Sequence, residues 1–172
     1  MAANEHMVYL LGYPEHLSAP VAQMIADDRL AAWLRQRHPQ AHEVRSDRAL
    51  YDYVEELKSD HLRNAPPLAR VAYDGKLQSV RNALGTHTRI ARVQGGKLKS
   101  KREIHIASVF REAPAAFLRM IAAHEVAHLK EPEHDKAFYQ LCTYIERDYA
   151  QLEFETRAWL CLLAAGQENP WA

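Results

Sequence analysis

The chain has 172 residues, enough for one domain with a core of its own and too few for two independent catalytic domains. Hydrophobic residues make up 48% and charged residues 26%, which excludes a disordered or fibrous class. Lys plus Arg and Asp plus Glu number 22 each, so no net charge directs the protein to nucleic acid or to a membrane surface, and any electrostatic steering has to be local.

The opening residues, MAANEHMVYLLGYPEH, hold only a short apolar run from Val8 to Leu11 and no basic leader, which is not the pattern of a signal peptide. Near the other end, the apolar stretch from Ala158 to Gly166 falls far short of the roughly 20 residues that a spanning helix needs. The expectation is a cytoplasmic protein with no membrane partner. Ser18 to Arg37 carries Ala19, Ala22, Ile25, Ala26, Leu30, Trp33 and Leu34 at three- and four-residue steps, predicting one amphipathic helix that ends before Pro39, with Pro20 in its first turn. Ser46 to Leu62 repeats the period through Leu50, Tyr53, Val54 and Leu57, with Ser46 or Asp47 as the cap and the Asn64-Ala-Pro-Pro67 segment as the stop.

From Leu68 to Ile106 the period shortens, and Asp74-Gly75 and Gly95-Gly96 read as turns between short antiparallel strands. The last of these, Arg102 to Ala107, puts Ile104 and Ile106 on one face and Glu103 and His105 on the other. Next comes a helix from near Pro114 to about Leu129, then a final helical section from Asp135 to Ala165, broken near Asp148. Cys142 and Cys161 stand nineteen apart, which argues against a disulfide framework or a cysteine zinc site and for two small core residues. The reading is an α+β fold in a single domain, 1–172: a helical part over 1–65 and a catalytic part over 66–172, with a small antiparallel sheet, a metal-bearing helix and C-terminal helices.

The chemistry sits in Ala123-His124-Glu125-Val126-Ala127-His128-Leu129-Lys130-Glu131-Pro132-Glu133-His134. On a helix, residues four apart lie one turn above each other, so His124 and His128 can present imidazoles to one zinc ion. Glu125 is placed to take the proton of an attacking water, the arrangement of HExxH metallopeptidases. Pro132 ends the helix, and the turn after it can return His134 as third ligand, leaving the fourth tetrahedral position open, as catalytic zinc requires. Glu146, Glu153 and Glu155 are the carboxylate alternatives to His134.

The stretch from Arg102 to Cys142, with its lead-in RMIAAHEVAHLK and the ending Glu133-His134-Asp135-Lys136-Ala137-Phe138-Tyr139, resembles the YgjP-like bacterial metallopeptidase family, whose members carry HE-x-x-HLK and an N-H-S-K-A-F-W type ending. The resemblance implies a minimal zincin fold related to SprT-like and WLM proteases, in which a small sheet packs on the active-site helix. It also implies His124, His128 and His134 as zinc ligands and Glu125 as catalytic base. Glu131 stands where a metzincin would have Gly, which disfavours that class. A Trp-Gly-Ser-Cys type segment associated with the family before the edge strand is absent, and Lys97 to Lys101 occupies the region.

Around this motif, Tyr139, Tyr144 and Tyr149 are candidate phenol donors to an oxyanion, or core packing. Glu131 and Asp135 are candidate acceptors for the ligand imidazoles, or solvated helix-end charges. The strand at Arg102 to Ala107 is either a core strand or an edge that receives an extended substrate, and His105 is left outside the catalytic set. Between Gly75 and Arg102 lie eight cations, Lys76, Arg81, Arg89, Arg92, Lys97, Lys99, Lys101 and Arg102, and no acid. They form a patch for phosphates or a solvated face, with the solvated face favoured. The function expected is zinc-dependent peptide-bond hydrolysis on a protein or peptide substrate. The alternatives are a DNA-associated SprT-like protease recruited by the 75–102 stretch and a zinc-binding interaction module without proteolysis. The sequence does not set the oligomeric state.

Overall fold

A computed structural model describes residues 2–78 and 102–172. The chain opens with a 3₁₀ helix, Ala2–Leu10, followed by α1 (Glu15–Ala26), α2 (Leu30–Arg37) and α3 (Asp47–His61). Strand β1 (Arg70–Asp74) and strand β2 (Glu103–Ala107) follow, then α4 (Ala115–Ala127), α5 (Lys136–Ile145) and α6 (Tyr149–Ala164).

The helix expected over 18–37 is two helices. Asp28 adopts φ 57, a left-handed conformation that ends α1, and Asp is one of the few side chains that tolerates it. The helix also starts earlier than expected, at Glu15, which leaves Pro20 inside it rather than in its first turn. The expectation for α3 holds: the Ser46 hydroxyl accepts a hydrogen bond from the Ala49 N–H at 3.1 Å and caps the helix.

The sheet departs from the antiparallel expectation. β1 and β2 pair in parallel, Arg70 opposite Glu103 through Asp74 opposite Ala107. Gly-bearing turns suggested hairpins, but the chain between Asp74 and Glu103 is long enough for the crossover that parallel strands require. The alternation within β2 is as expected, with Ile104 and Ile106 buried and Glu103 and His105 partly exposed.

Helix α4 is buried on every side over its second half and is therefore central. From Met120 to Ala127 every residue is buried, His124 and Glu125 included. It packs against α3, α5, α6 and β2, so these helices and the sheet share one core that runs from Tyr9 to Trp171. The N-terminal 3₁₀ helix lies on α6, where Arg157 Nη1 donates to the Tyr9 carbonyl at 3.1 Å. No helix among the described residues is long and apolar enough to cross a membrane.

Candidate metal centre

His124 and Glu125 occupy the last full turn of α4 and His128 is its C-terminal cap. The backbone then tightens, with Leu129 N–H donating to the Val126 carbonyl and Glu131 N–H to that of Ala127, before Pro132 forbids a further turn. The Asp135 carboxylate accepts from the Phe138 N–H at 3.0 Å and so starts α5 directly after His134. The cap fixes where Phe138 enters, and that ring is the floor of the centre: it is fully buried and its centroid lies 4.9, 4.4 and 5.0 Å from those of His124, His128 and His134.

The three histidines come together. His128 Nε2 lies 3.2 Å from His124 Nε2 and 2.9 Å from His134 Nε2. Their ligand atoms form a group able to hold a metal ion, all within 4.8 Å of one another. Tetrahedral zinc with bonds of about 2.0–2.1 Å to nitrogen places its ligand nitrogens roughly 3.3 Å apart, close to the spacing seen here. His124, Glu125 and His128 are 1%, 1% and 3% exposed, while His134 is the more open member and gives the centre its solvent side.

The other ring nitrogens are held as a metal site needs them. His128 Nδ1 lies 3.0 Å from the Glu131 carbonyl, which can only accept, so Nδ1 carries the proton and Nε2 keeps its lone pair. His124 Nδ1 lies 2.7 Å from the Tyr149 hydroxyl. Burial, reinforced by the Glu153 charge, holds the Tyr149 phenol proton well above its ordinary range, so that hydroxyl stays neutral. Beneath, burial pushes the Cys142 thiol up to about 12, with the Glu153 and Glu125 charges adding to the effect and a Tyr149 hydrogen bond opposing it. Cys142 is therefore a neutral, unreactive packing residue, as expected.

Other expectations sort by geometry. Glu146 pairs with Arg119 at 3.0 Å, Glu153 with Arg157 at 3.4 Å, and Glu155 with Arg37, so none of the three carboxylates stands in the histidine group. Glu131 serves through its backbone carbonyl, and Asp135 caps α5 rather than holding an imidazole. Of the three tyrosines, Tyr149 reaches His124 at Nδ1, behind the ligand atom, which is not an oxyanion position; Tyr144 meets His61 edge-on. His105 lies between Asp74 and Glu103, at 3.8 and 3.3 Å. Lys76 and Arg102 are the described members of the basic stretch, and its other six cations lie outside the described residues. The roles of Phe138 and Tyr149 went unseen in the sequence, although Tyr149, Glu153 and Arg157 at four-residue steps mark one helix face.

Comparison with known proteins places this geometry in context. The UTP pyrophosphatase of Escherichia coli strain K12 is 54% identical over 164 residues, covering 95% of this chain and 98% of that protein. No solved structure matches the chain. The model of the YgjP-like metallopeptidase domain matches residues 35–158, which span α3, both strands and the whole histidine centre. The chain belongs to the YgjP-like metallopeptidase-domain family.

Proposed function

We propose that the protein is a zinc-dependent hydrolase that splits a phosphoanhydride bond of UTP, with His124, His128 and His134 holding the metal and Glu125 as general base. The observation behind the reading is the convergence of three imidazole nitrogens, with the buried Glu125 beside His124 on α4. Neutral imidazole is a zinc donor and a poor magnesium donor, since magnesium prefers oxygen ligands. When bound, zinc lowers the pKa of water and draws charge from the oxygens of the bond under attack. Glu125 accepts the proton released by the attacking water and returns it to the leaving group. Its burial keeps bulk water from competing for that proton.

UTP is the proposed substrate because a relative of nearly the same length, more than half identical, is called UTP pyrophosphatase. The eight cations and no acid between Gly75 and Arg102 have the composition that a triphosphate calls for. The second reading, peptide-bond hydrolysis, is favoured by the metallopeptidase description of the matching domain, and the same residues would serve an amide carbonyl.

Pyrophosphate release from UTP, measured beside cleavage of casein and a peptide library, decides between the two, with Glu125→Gln as control. UTP turnover lost by at least about a hundredfold in Glu125→Gln supports the proposal. Peptide cleavage without UTP turnover transfers it to the peptidase reading, and neither activity in zinc-loaded protein refutes both.

A further inference from the structure

Tyr149, Glu153 and Arg157 stand at four-residue intervals on α6 and therefore stack along one face of it. The Tyr149 hydroxyl lies 2.7 Å from His124 Nδ1 and 3.5 Å from Glu153 Oε1. Arg157 Nη2 donates to the same carboxylate oxygen at 3.4 Å, while its Nη1 is anchored on the Tyr9 carbonyl at 3.1 Å. Glu153 is 7% exposed, so its charge is kept in a poorly solvated place with Arg157 as counter-ion.

With His124 Nε2 as a ligand atom its proton sits on Nδ1, and that sets the hydrogen-bond polarity along this row. The phenol proton of Tyr149 is then free to go to the Glu153 carboxylate, which only accepts. The phenol oxygen then accepts from His124 Nδ1–H, which leaves the lone pair of His124 on Nε2, facing His128 and His134. Reversed polarity, with the phenol donating to Nδ1, would put a proton on Nε2 and close the site to a cation. At His128 a backbone carbonyl, that of Glu131, fixes the Nδ1 proton.

We propose that Tyr149, Glu153 and Arg157 form a relay of positioning residues that holds His124 in its ligand tautomer and sets the affinity of the centre for its metal. The relay rests on the reading of the three histidines as metal ligands and is independent of which substrate is hydrolysed. Outer partners of this kind raise the basicity of a ligand imidazole and restrict its rotation, and their loss weakens metal binding about 10- to 100-fold.

The test is zinc affinity, measured by competition with a chromophoric chelator on wild type, Tyr149→Phe, Glu153→Gln and His134→Ala, with thermal melts of the same proteins after metal removal. The expected result is a 10- to 100-fold weaker affinity in Tyr149→Phe. A smaller loss is expected in Glu153→Gln, and the metal-free melts separate loss of affinity from general destabilisation where the Arg157 pair is broken. Wild type that binds no zinc refutes the metal centre itself. Wild type that binds zinc, with His134→Ala weakened and Tyr149→Phe unchanged, keeps the centre and overturns the relay. Should Tyr149→Phe prove too unstable to titrate, Glu153→Gln decides, because it retains the phenol and the side-chain volume: unchanged affinity overturns the relay.

Discussion

At the scale of single residues, two buried aromatic rings bear on how the protein responds to mutation and to pH. Phe138 is wedged under all three site histidines and has no exposed surface, so truncation leaves a cavity among rings that cannot all collapse into it. Phe138→Ala should lower the stability of the metal-free protein by about 3–5 kcal/mol in urea unfolding, and a loss below 1 kcal/mol would show that the ring is not packed as described. His42 works differently. Its Nε2–H donates to the Phe110 carbonyl at 2.7 Å and its Nδ1 accepts from the Val44 N–H at 3.0 Å, so the ring is neutral and both nitrogens are used. Burial, with the Arg45 charge adding to it against the Phe110 hydrogen bond, lowers its pKa below the ordinary 6.5. A lowered value means that the unfolded chain takes up the proton first as pH falls. His42 therefore contributes stability that is present above about pH 6.5 and lost as pH drops through the folded value. His42→Gln should flatten the pH dependence of the urea midpoint below neutrality; identical slopes in the two proteins would exclude this account.

At the scale of elements, the last residue of α2 is tied to the middle of α6. The Glu155 side chain is fully buried and takes hydrogen bonds from Arg37 and, at 3.1 Å, from Gln151, with His38 Nε2 at 3.2 Å. Burial opposes ionisation of Glu155, but the Arg37 and Gln151 hydrogen bonds outweigh it and bring the carboxyl below its ordinary range. That contribution is present above about pH 4.5 and is lost as pH falls through the lower folded value. Arg37→Met strands a buried charge and should cost about 3 kcal/mol in urea unfolding, whereas adding Glu155→Met should recover most of it; equal losses in single and double variants would contradict the buried-pair account. The pair also shows where sequence reading stops. Ser46 as cap, Pro114 as helix start and the break at Asp148 are local signals, and each is found where local chemistry puts it. The four-residue step of His124 and His128 and the turn forced by Pro132 are local too, which is why the histidine group is legible in the sequence. The parallel sheet was not, because strand direction depends on the route between strands and not on their alternation. Nor was the Tyr149 contact, since the helical period of α6 says which residues share a face but not which of three tyrosines that face brings to His124.

Taken as a whole molecule, the proposed centre joins the end of α4 to the segment that begins α5, while the hydrophobic core extends well beyond it, from Tyr9 to Trp171. That distribution separates two kinds of metal dependence. In a small zinc module the metal supplies most of the folding free energy and its removal unfolds the chain. Here residues of α1 to α3, both strands and α6 belong to one apolar core cluster, so the metal-free protein should remain folded. Zinc should nonetheless stabilise it by mass action, about 4 kcal/mol at a free concentration one thousand times the dissociation constant. For a chain of this size, about 2–4 °C per kcal/mol puts the rise in melting temperature on the order of 10 °C. Melts of the protein with chelator and with excess zinc, for wild type and His134→Ala, give the measurement: a cooperative transition in both wild-type samples, separated by about that interval, and a much smaller separation in the variant. Loss of the cooperative transition on chelation would mean that the metal organises the fold itself, and an equal shift in His134→Ala would mean that zinc acts somewhere other than the three-histidine centre.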